Sequence, residues 1–266
     1  MTTIKLAICS IFVGFVVLGV KALAYWMTGS VALLSDALES TVNVATAFAA
    51  LIAIQVAAKP ADANHPYGHN KAEFFSAVLE GVMIIVAALL ILREAYHGFM
   101  EPIRLDAPIE GLLVNLGATV INGVWAWVLI SRGRKRQSPA LVADGKHLVT
   151  DVLTSVGVAV GVLLAVATGW WILDPALAVL VAVNILWSGS KIIKESLSGL
   201  MDEAVSEKTL SSIREIIAAE ADGAMEAHDL RTRHAGSVIF IDFHLIVPGE
   251  TTVFRAHEIC DRIENG

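Results

Sequence analysis

Six stretches of about twenty or more nearly uncharged residues recur through the first three quarters of this sequence, each long enough to cross ~30 Å of hydrocarbon at ~1.5 Å per residue. They run from Ile4 to Met27, Ser30 to Ala57, Phe74 to Met100, Ile109 to Ile130, Pro139 to Gly169 and Pro175 to Leu200. Backbone amides in lipid must be satisfied within their own segment, so runs of this kind predict α-helices. Thr28-Gly29, Lys59-Pro60, Glu101-Pro102, Ser138-Pro139 and Asp174-Pro175 punctuate the joints. In the last two, a capping side chain precedes a proline suited to the first helical turn. With 56% apolar residues and a mean hydropathy of +0.67, most of the chain belongs in a bilayer.

The first run exceeds a signal-peptide core and is read as a retained helix, with Lys21 expected to snorkel towards its outer end. Arg132, Arg134, Lys135 and Arg136 fill the connection between the fourth and fifth runs, and Lys59 and Lys71 flank the one between the second and third. The opposite loops offer only Arg104, so the positive-inside rule predicts that both termini are cytoplasmic.

After Leu200 charges appear every few residues and the apolar positions become periodic. The expected division is a transmembrane part over 1–202 and a small α+β cytoplasmic part over 203–266. Leu210, Ile213, Ile216 and Ile217 mark one face of a helix from about Ser206 to Ala221. Strands are predicted around His228 to His234 and Ser237 to Val247, with Ala235-Gly236 as the turn, followed by a helix running to Ile263. Two strands and two helices want a further strand, so we expect the given chain to stop short of the full unit or to carry a short tail. A net charge of −7 argues against nucleic acid as a partner, and Cys9 and Cys260 fall in different compartments, so no disulfide is expected.

Ionisable side chains inside spans are costly, and each suggests a function. The second run contains Asp36, Glu39 and Asn43; the fifth contains Asp144, Lys146, His147 and Asp151. Glu39 and Asn43 are four apart, as are His147 and Asp151, a spacing that stacks side chains on one helical face. Counting helical rise inward from Ser30 puts Glu39 ~14 Å and Asn43 ~20 Å below the outer surface. Counting outward from Pro139 puts His147 ~12 Å and Asp151 ~18 Å above the inner one. Four donors then converge near the midplane: one imidazole, two carboxylates and one amide oxygen, a set suited to a divalent metal ion. Metal ligation requires deprotonated groups, so the same atoms can take up protons when the metal leaves. The alternative is that these residues pair with one another as polar glue between helices.

These residues resemble the cation diffusion facilitator family over essentially the whole chain. The matching pieces are Gly29 to Ala37, the loop Pro60-Ala61-Asp62-Ala63-Asn64-His65-Pro66-Tyr67-Gly68-His69-Asn70-Lys71-Ala72-Glu73, and Ala143 to Asp151. The resemblance implies a homodimeric, multi-pass transporter that exports divalent metal in exchange for protons, in a bacterial inner membrane, without a permanent cofactor. It also implies a transport site at Glu39, Asn43, His147 and Asp151, with Asp36 as an outer residue one turn above Glu39. The family's second-helix pair is most often Asp or His followed by Asp, whereas this chain has Glu and Asn, which weakens a zinc assignment and keeps iron, cobalt and manganese in view. A second metal site is implied at Asp62, His65 and His69, although the histidines alone would serve to shape the turn. Lys71 resembles a lysine that pairs with an acid after the sixth helix, matched here by Asp202. The soluble part resembles a metallochaperone-like αββα(β) unit with metal-binding positions at His228, His244 and His257, its last strand absent from this chain. Readings from other classes are a membrane-embedded metal-dependent hydrolase using the same ligands, for which no separate general acid or base is found, and a metal sensor that binds without transporting.

Overall fold

A computed structural model describes residues 2–28, 31–100, 109–170 and 172–266; the side chains of Asp36 and Glu39, residue Arg104 and the side of the fifth helix around Gly161 lie outside the described residues. The chain divides into two compact units, Met1–Leu197 and Ser198–Gly266.

Among the described residues the first unit contains six long helices, α1 (Thr3–Thr28), α2 (Val31–Ala57), α3 (Ala72–Met100), α4 (Ile109–Lys135), α5 (Pro139–Thr168) and α6 (Leu173–Leu200). Four of them follow the apolar runs closely. α4 continues past the expected end at Ile130 because the basic residues that close the run, Arg132, Arg134 and Lys135, sit in its last turn, where cations complement the helix dipole. α6 begins at Leu173, so Asp174 and Pro175 lie in its first turn rather than before it. Among the described residues, five helices carry stretches long and apolar enough to span a membrane: Thr3–Leu23, Ser40–Ala57, Ala72–Met100, Leu113–Lys135 and Pro175–Leu200. α5, at 30 residues, also has the length.

Polarity in this unit is inverted relative to a water-soluble bundle. Phe12, Trp127, Leu180 and Trp187 are each about two-thirds or more exposed, while Ser10, Asn43, Glu73, Glu80, Asp144, His147 and Asp151 are buried. An outward apolar surface of this extent is stable only against lipid, and polar groups turned inward find partners across helix interfaces. The protein is an integral membrane protein. Lys21 follows the same logic and departs from the snorkelling expected of it: it is 2% exposed, inside the bundle.

α5 lies at the centre, packing on α4, α3, α2 and α1. Its Ala140, Leu141 and Leu148 join Leu6 and Ala7 of α1, Ala50 and Ile54 of α2 and Ala126 and Leu129 of α4 in one apolar cluster. Ala143, on another side, joins Ala77, Ile84 and Ala88 of α3 and Ile185 and Ile192 of α6. Helix association in lipid rests on close packing, and glycines permit it here. A Cβ on Gly145 of α5 would meet Ala126 O of α4 at 3.1 Å, and one on Gly157 would meet Val181 Cγ2 of α6 at 2.9 Å. Gly81 of α3 and Gly189 of α6 face each other, each so close that a Cβ would lie 3.1 Å from the other's carbonyl oxygen.

The second unit contains α7 (Glu207–Glu220), β1 (Glu226–Ala235), β2 (Val238–Ile246) and α8 (Val253–Asn265). Ser206 and Thr252 cap the two helices by accepting the backbone N–H groups of Thr209 and Arg255. The strands pair antiparallel, and Gly236 at φ +60° supplies the left-handed residue of the turn. Ile217 of α7 and Ile259 and Ile263 of α8 pack against Leu230, Phe243, Leu245 and Val247, the inward set of the strand alternation. The register is broken between His228 and Arg231, where Asp229 takes a φ of +54°.

The Gly81 and Gly189 contact gives a direct test. Gly189→Val pushes a branched side chain into Ile84, Ile85 and the α3 backbone, which costs about 1–3 kcal/mol through overpacking. The detergent-solubilised variant is expected to melt several degrees below the parent, whereas Gly117→Ala, where a Cβ meets nothing within 4 Å, leaves the midpoint unchanged or higher.

Candidate metal centre

Asp144, His147 and Asp151 occupy one stripe of α5, about 60° wide at 100° per residue. All three are 3% exposed. Each is tied to a different helix. Asp144 Oδ2 accepts the hydroxyl of Ser10 on α1 at 2.6 Å. His147 Nδ1 donates to Glu80 Oε2 on α3 at 2.6 Å. Asp151 Oδ2 accepts the side-chain amide of Asn43 on α2. Charge-assisted bonds of this kind are roughly twice as strong as neutral ones, and in a dry interior their absence would leave ionised groups without compensation.

Helical rise alone sets Asn43 level with His147 and Glu39 level with Asp151. The structure joins Asn43 to Asp151, so its contact runs one turn further along α5 than helical rise alone suggested. A side chain reaches across a turn, and equal depth was only an approximation to contact. His147 meets a residue that the sequence reading passed over, Glu80, which is fully buried. A signal for it was available. Glu73 and Glu80 are seven apart and fall within about 20° of each other on α3, and both interrupt an apolar run. Glu73 accepts the hydroxyl of Ser138, which in turn lies 3.5 Å from the backbone N–H of Leu141 at the start of α5. Two acids on one stripe therefore fix how α3 faces α5. Lys146 points elsewhere, to Glu195 of α6 at 2.9 Å.

Buried oxygens in this region that accept no hydrogen bond among the described residues include Asn43 Oδ1 and Glu80 Oε1. Such acceptors are costly in an apolar interior and are natural donors to a cation. Glu39 and Asp36 belong to the same stretch of α2, with their side chains outside the described residues.

Among the described His, Cys, Asp and Glu residues, two trios bring donor atoms within 4.8 Å of one another. The first is the loop trio Asp62, His65 and His69. Asp62 Oδ1 accepts the backbone N–H groups of Asn64 and His65, and its two oxygens lie 3.2 Å from His65 Nδ1 and 3.5 Å from His69 Nε2. The two imidazoles are 4.3 Å apart between centroids. The His65 backbone N–H, foremost, holds the Asp62 carboxyl below its ordinary value, so it stays ionised throughout the neutral range. Turn shaping and metal ligation are compatible here, because the carboxylate that orders the turn also presents itself to both histidines.

The second trio is His228, Asp229 and His244. His228 and His244 are direct cross-strand partners with ring centroids 5.4 Å apart, and the bulge at Asp229 brings its carboxylate 3.7 Å from His244 Nδ1. His257 lies on α8 beside Asp261 at 3.6 Å and is not part of this trio. Asp229 was missed because a bulge cannot be read from strand alternation. Asp202, at the end of α6, pairs with Arg233 of β1 at 3.8 Å. Lys71 is half-buried one residue before α3.

Comparison with known proteins adds an independent line. Residues 7–201 match the family described as the cation efflux transmembrane domain, and residues 205–266 match the cytoplasmic domain of cation efflux proteins. An uncharacterized transporter of Synechocystis is 47% identical over 258 residues, covering 97% of this chain and 83% of the relative. The cation-efflux pump FieF of Cronobacter sakazakii is 31% identical over 267 residues, covering 98% and 86%, and that of Citrobacter koseri is 30% identical over 264 residues, covering 98% and 86%.

The Ser138 bridge is testable apart from any ligand. Ser138→Ala removes the donor to a buried carboxyl and a capping group together, a loss of about 2 kcal/mol. Its thermal midpoint in detergent is expected to fall, with Ser138→Thr recovering most of the difference.

Proposed function

Because the chain belongs to the cation diffusion facilitator family of cation efflux transporters, we propose that it exports a divalent metal ion, of the zinc, iron, cobalt or manganese class, in exchange for protons. The transport site is Glu39 and Asn43 of α2 with His147 and Asp151 of α5. The observation that carries this reading is the Asn43 to Asp151 contact, which ties together the two helices from which the four donors come. On this reading the contact belongs to the metal-free state. A cation entering from the cytoplasm takes over the Asp151 oxygens and the free amide oxygen of Asn43, and it replaces the amide hydrogen bond as compensation for the carboxylate.

Two carboxylates balance the charge of a divalent ion, which is what a medium of low polarity demands. Protons arriving from outside compete for the same carboxylates and for the imidazole, so ion and protons displace each other without leaving the site charged. Rocking of helix bundles about a midplane site would open it alternately to each face. The chain acts as a homodimer in a bacterial inner membrane with both termini in the cytoplasm. The description of residues 205–266 as a cytoplasmic domain and the basic last turn of α4 support this orientation.

The loop trio and the trio on the strands are proposed as accessory metal sites. Each offers two imidazoles and a carboxylate, a donor set that fits zinc-like ions. In the second, Asp229 supplies the carboxylate and His257 a further donor from α8.

Flux measurements decide the matter. Proteoliposomes loaded with a pH-sensitive dye should show proton movement on addition of Zn²⁺, Mn²⁺, Fe²⁺ or Co²⁺. Asp151→Ala and His147→Ala should reduce it at least 100-fold. Flux that survives Asp151→Ala sinks the site, and none in the parent sinks transport. Asn43→Asp gives a second test. It puts two carboxylates in contact, so the metal-free variant should melt below the parent, and saturating Zn²⁺ should raise its midpoint by more than it raises the parent's.

A further inference from the structure

Glu80 stands outside the four donors of the transport site, yet it is fully buried in α3 and its carboxylate touches one of them. A carboxyl group at this depth is costly to keep and replaceable by any apolar residue unless it serves the site. Its placement is not accidental to the packing. The Glu73 to Ser138 bridge two turns away on the same stripe sets the rotation of α3 against α5 and aims Glu80 at His147.

The two nitrogens of an imidazole lie on opposite sides of the ring. With Nδ1 bonded to Glu80 Oε2 at 2.6 Å, the proton is held on Nδ1 and the lone pair is left on Nε2. Neither Glu80 nor His147 belongs to a trio of described donors within 4.8 Å, so Glu80 does not join a ready-made cluster of ligands. Its chemistry runs through the ring. We propose that Glu80 is a positioning residue of the transport site, fixing His147 in the orientation and tautomer that present Nε2 to the metal ion. This inference rests on His147 being a ligand, as proposed above. It also assigns α3 a part in a site otherwise built from α2 and α5, and it sets a third carboxylate beside a ligand set in which Asn43 contributes none.

Carboxylate partners of metal-bound histidines typically contribute 10–100-fold to affinity. The experiment uses the full chain in detergent with Co²⁺ as the probe, read by calorimetry and by the visible absorption of the bound ion. Glu80→Ala is expected to weaken Co²⁺ binding by about 10–100-fold and to shift the Co²⁺ spectrum towards that of His147→Ala. Glu80→Gln, whose amide oxygen still accepts from Nδ1, should recover part of the affinity. In a His147→Ala background, Glu80→Ala should change affinity by less than about twofold, since the group it acts through is gone.

Unchanged affinity in Glu80→Ala overturns the proposal, and so does an equal loss with and without His147, which would mark Glu80 as an independent ligand or a packing residue. Where Glu80→Ala does not yield monodisperse protein, Glu80→Gln carries the test through the same cycle: a several-fold loss that disappears without His147 supports the proposal, and an equal loss in both backgrounds overturns it. Normal Co²⁺ binding in His147→Ala and Asp151→Ala would instead remove the transport site itself. The two failures are therefore distinguishable.

Discussion

The intolerance of lipid for an uncompensated charge organises the first unit around α5. That helix carries three ionisable residues on one stripe, and each is compensated by a different neighbour: Ser10 of α1, Glu80 of α3 and Asn43 of α2. The apolar clusters on its other sides then follow, because a helix held at three points along its length can bury Ala140, Leu141, Ala143 and Leu148 against the other five helices. Packing alone is weakly directional in a bilayer, where lipid tails are as apolar as leucine. The polar stripe supplies the direction, and the glycines at 145, 157, 81 and 189 let the backbones approach closely enough for the bonds to form.

The same economy governs the small unit on a different scale. A two-stranded ribbon gains little from its own pairing, and its stability comes from α7 and α8 covering one face through Ile217, Ile259 and Ile263. The bulge at Asp229 disturbs the ladder at the one place where two histidines are cross-strand neighbours. A strained, positive φ at a non-glycine residue is costly, and here it sets a carboxylate beside the pair.

How much of this was legible in the sequence depends on the length scale of the signal. The six helices were readable because hydrocarbon thickness imposes a long, continuous pattern, and the ends that shifted, at Lys135 and Leu173, are those where charge or a capping residue blurred the edge of the run. The loop trio was readable because its residues are near neighbours whose turn is set by Asp62 itself. The contact between α2 and α5 was readable only to within one helical turn, since rise fixes depth and not the direction in which a side chain leans. Glu80 and Asp229 were missed for different reasons: the first lay on a helix judged by its overall greasiness, the second on a bulge that alternation cannot announce.

A pairwise scheme of compensation has a consequence for any chain that moves a cation through such a stripe. Asp151 and His147 each already hold a hydrogen bond from a neighbouring helix without a metal, so neither stands alone in the metal-free bundle. On the transport reading, an arriving ion then gains only the difference between its own ligation and the hydrogen bonds it displaces. That difference must be modest, because a transporter that binds its cargo too tightly cannot release it. On that reading Asn43 can satisfy Asp151 through its amide nitrogen and still offer its oxygen to the ion, whereas a carboxylate at 43 would repel Asp151 in the absence of metal. On the transport reading, the amide that weakens an assignment to zinc also favours release of the ion.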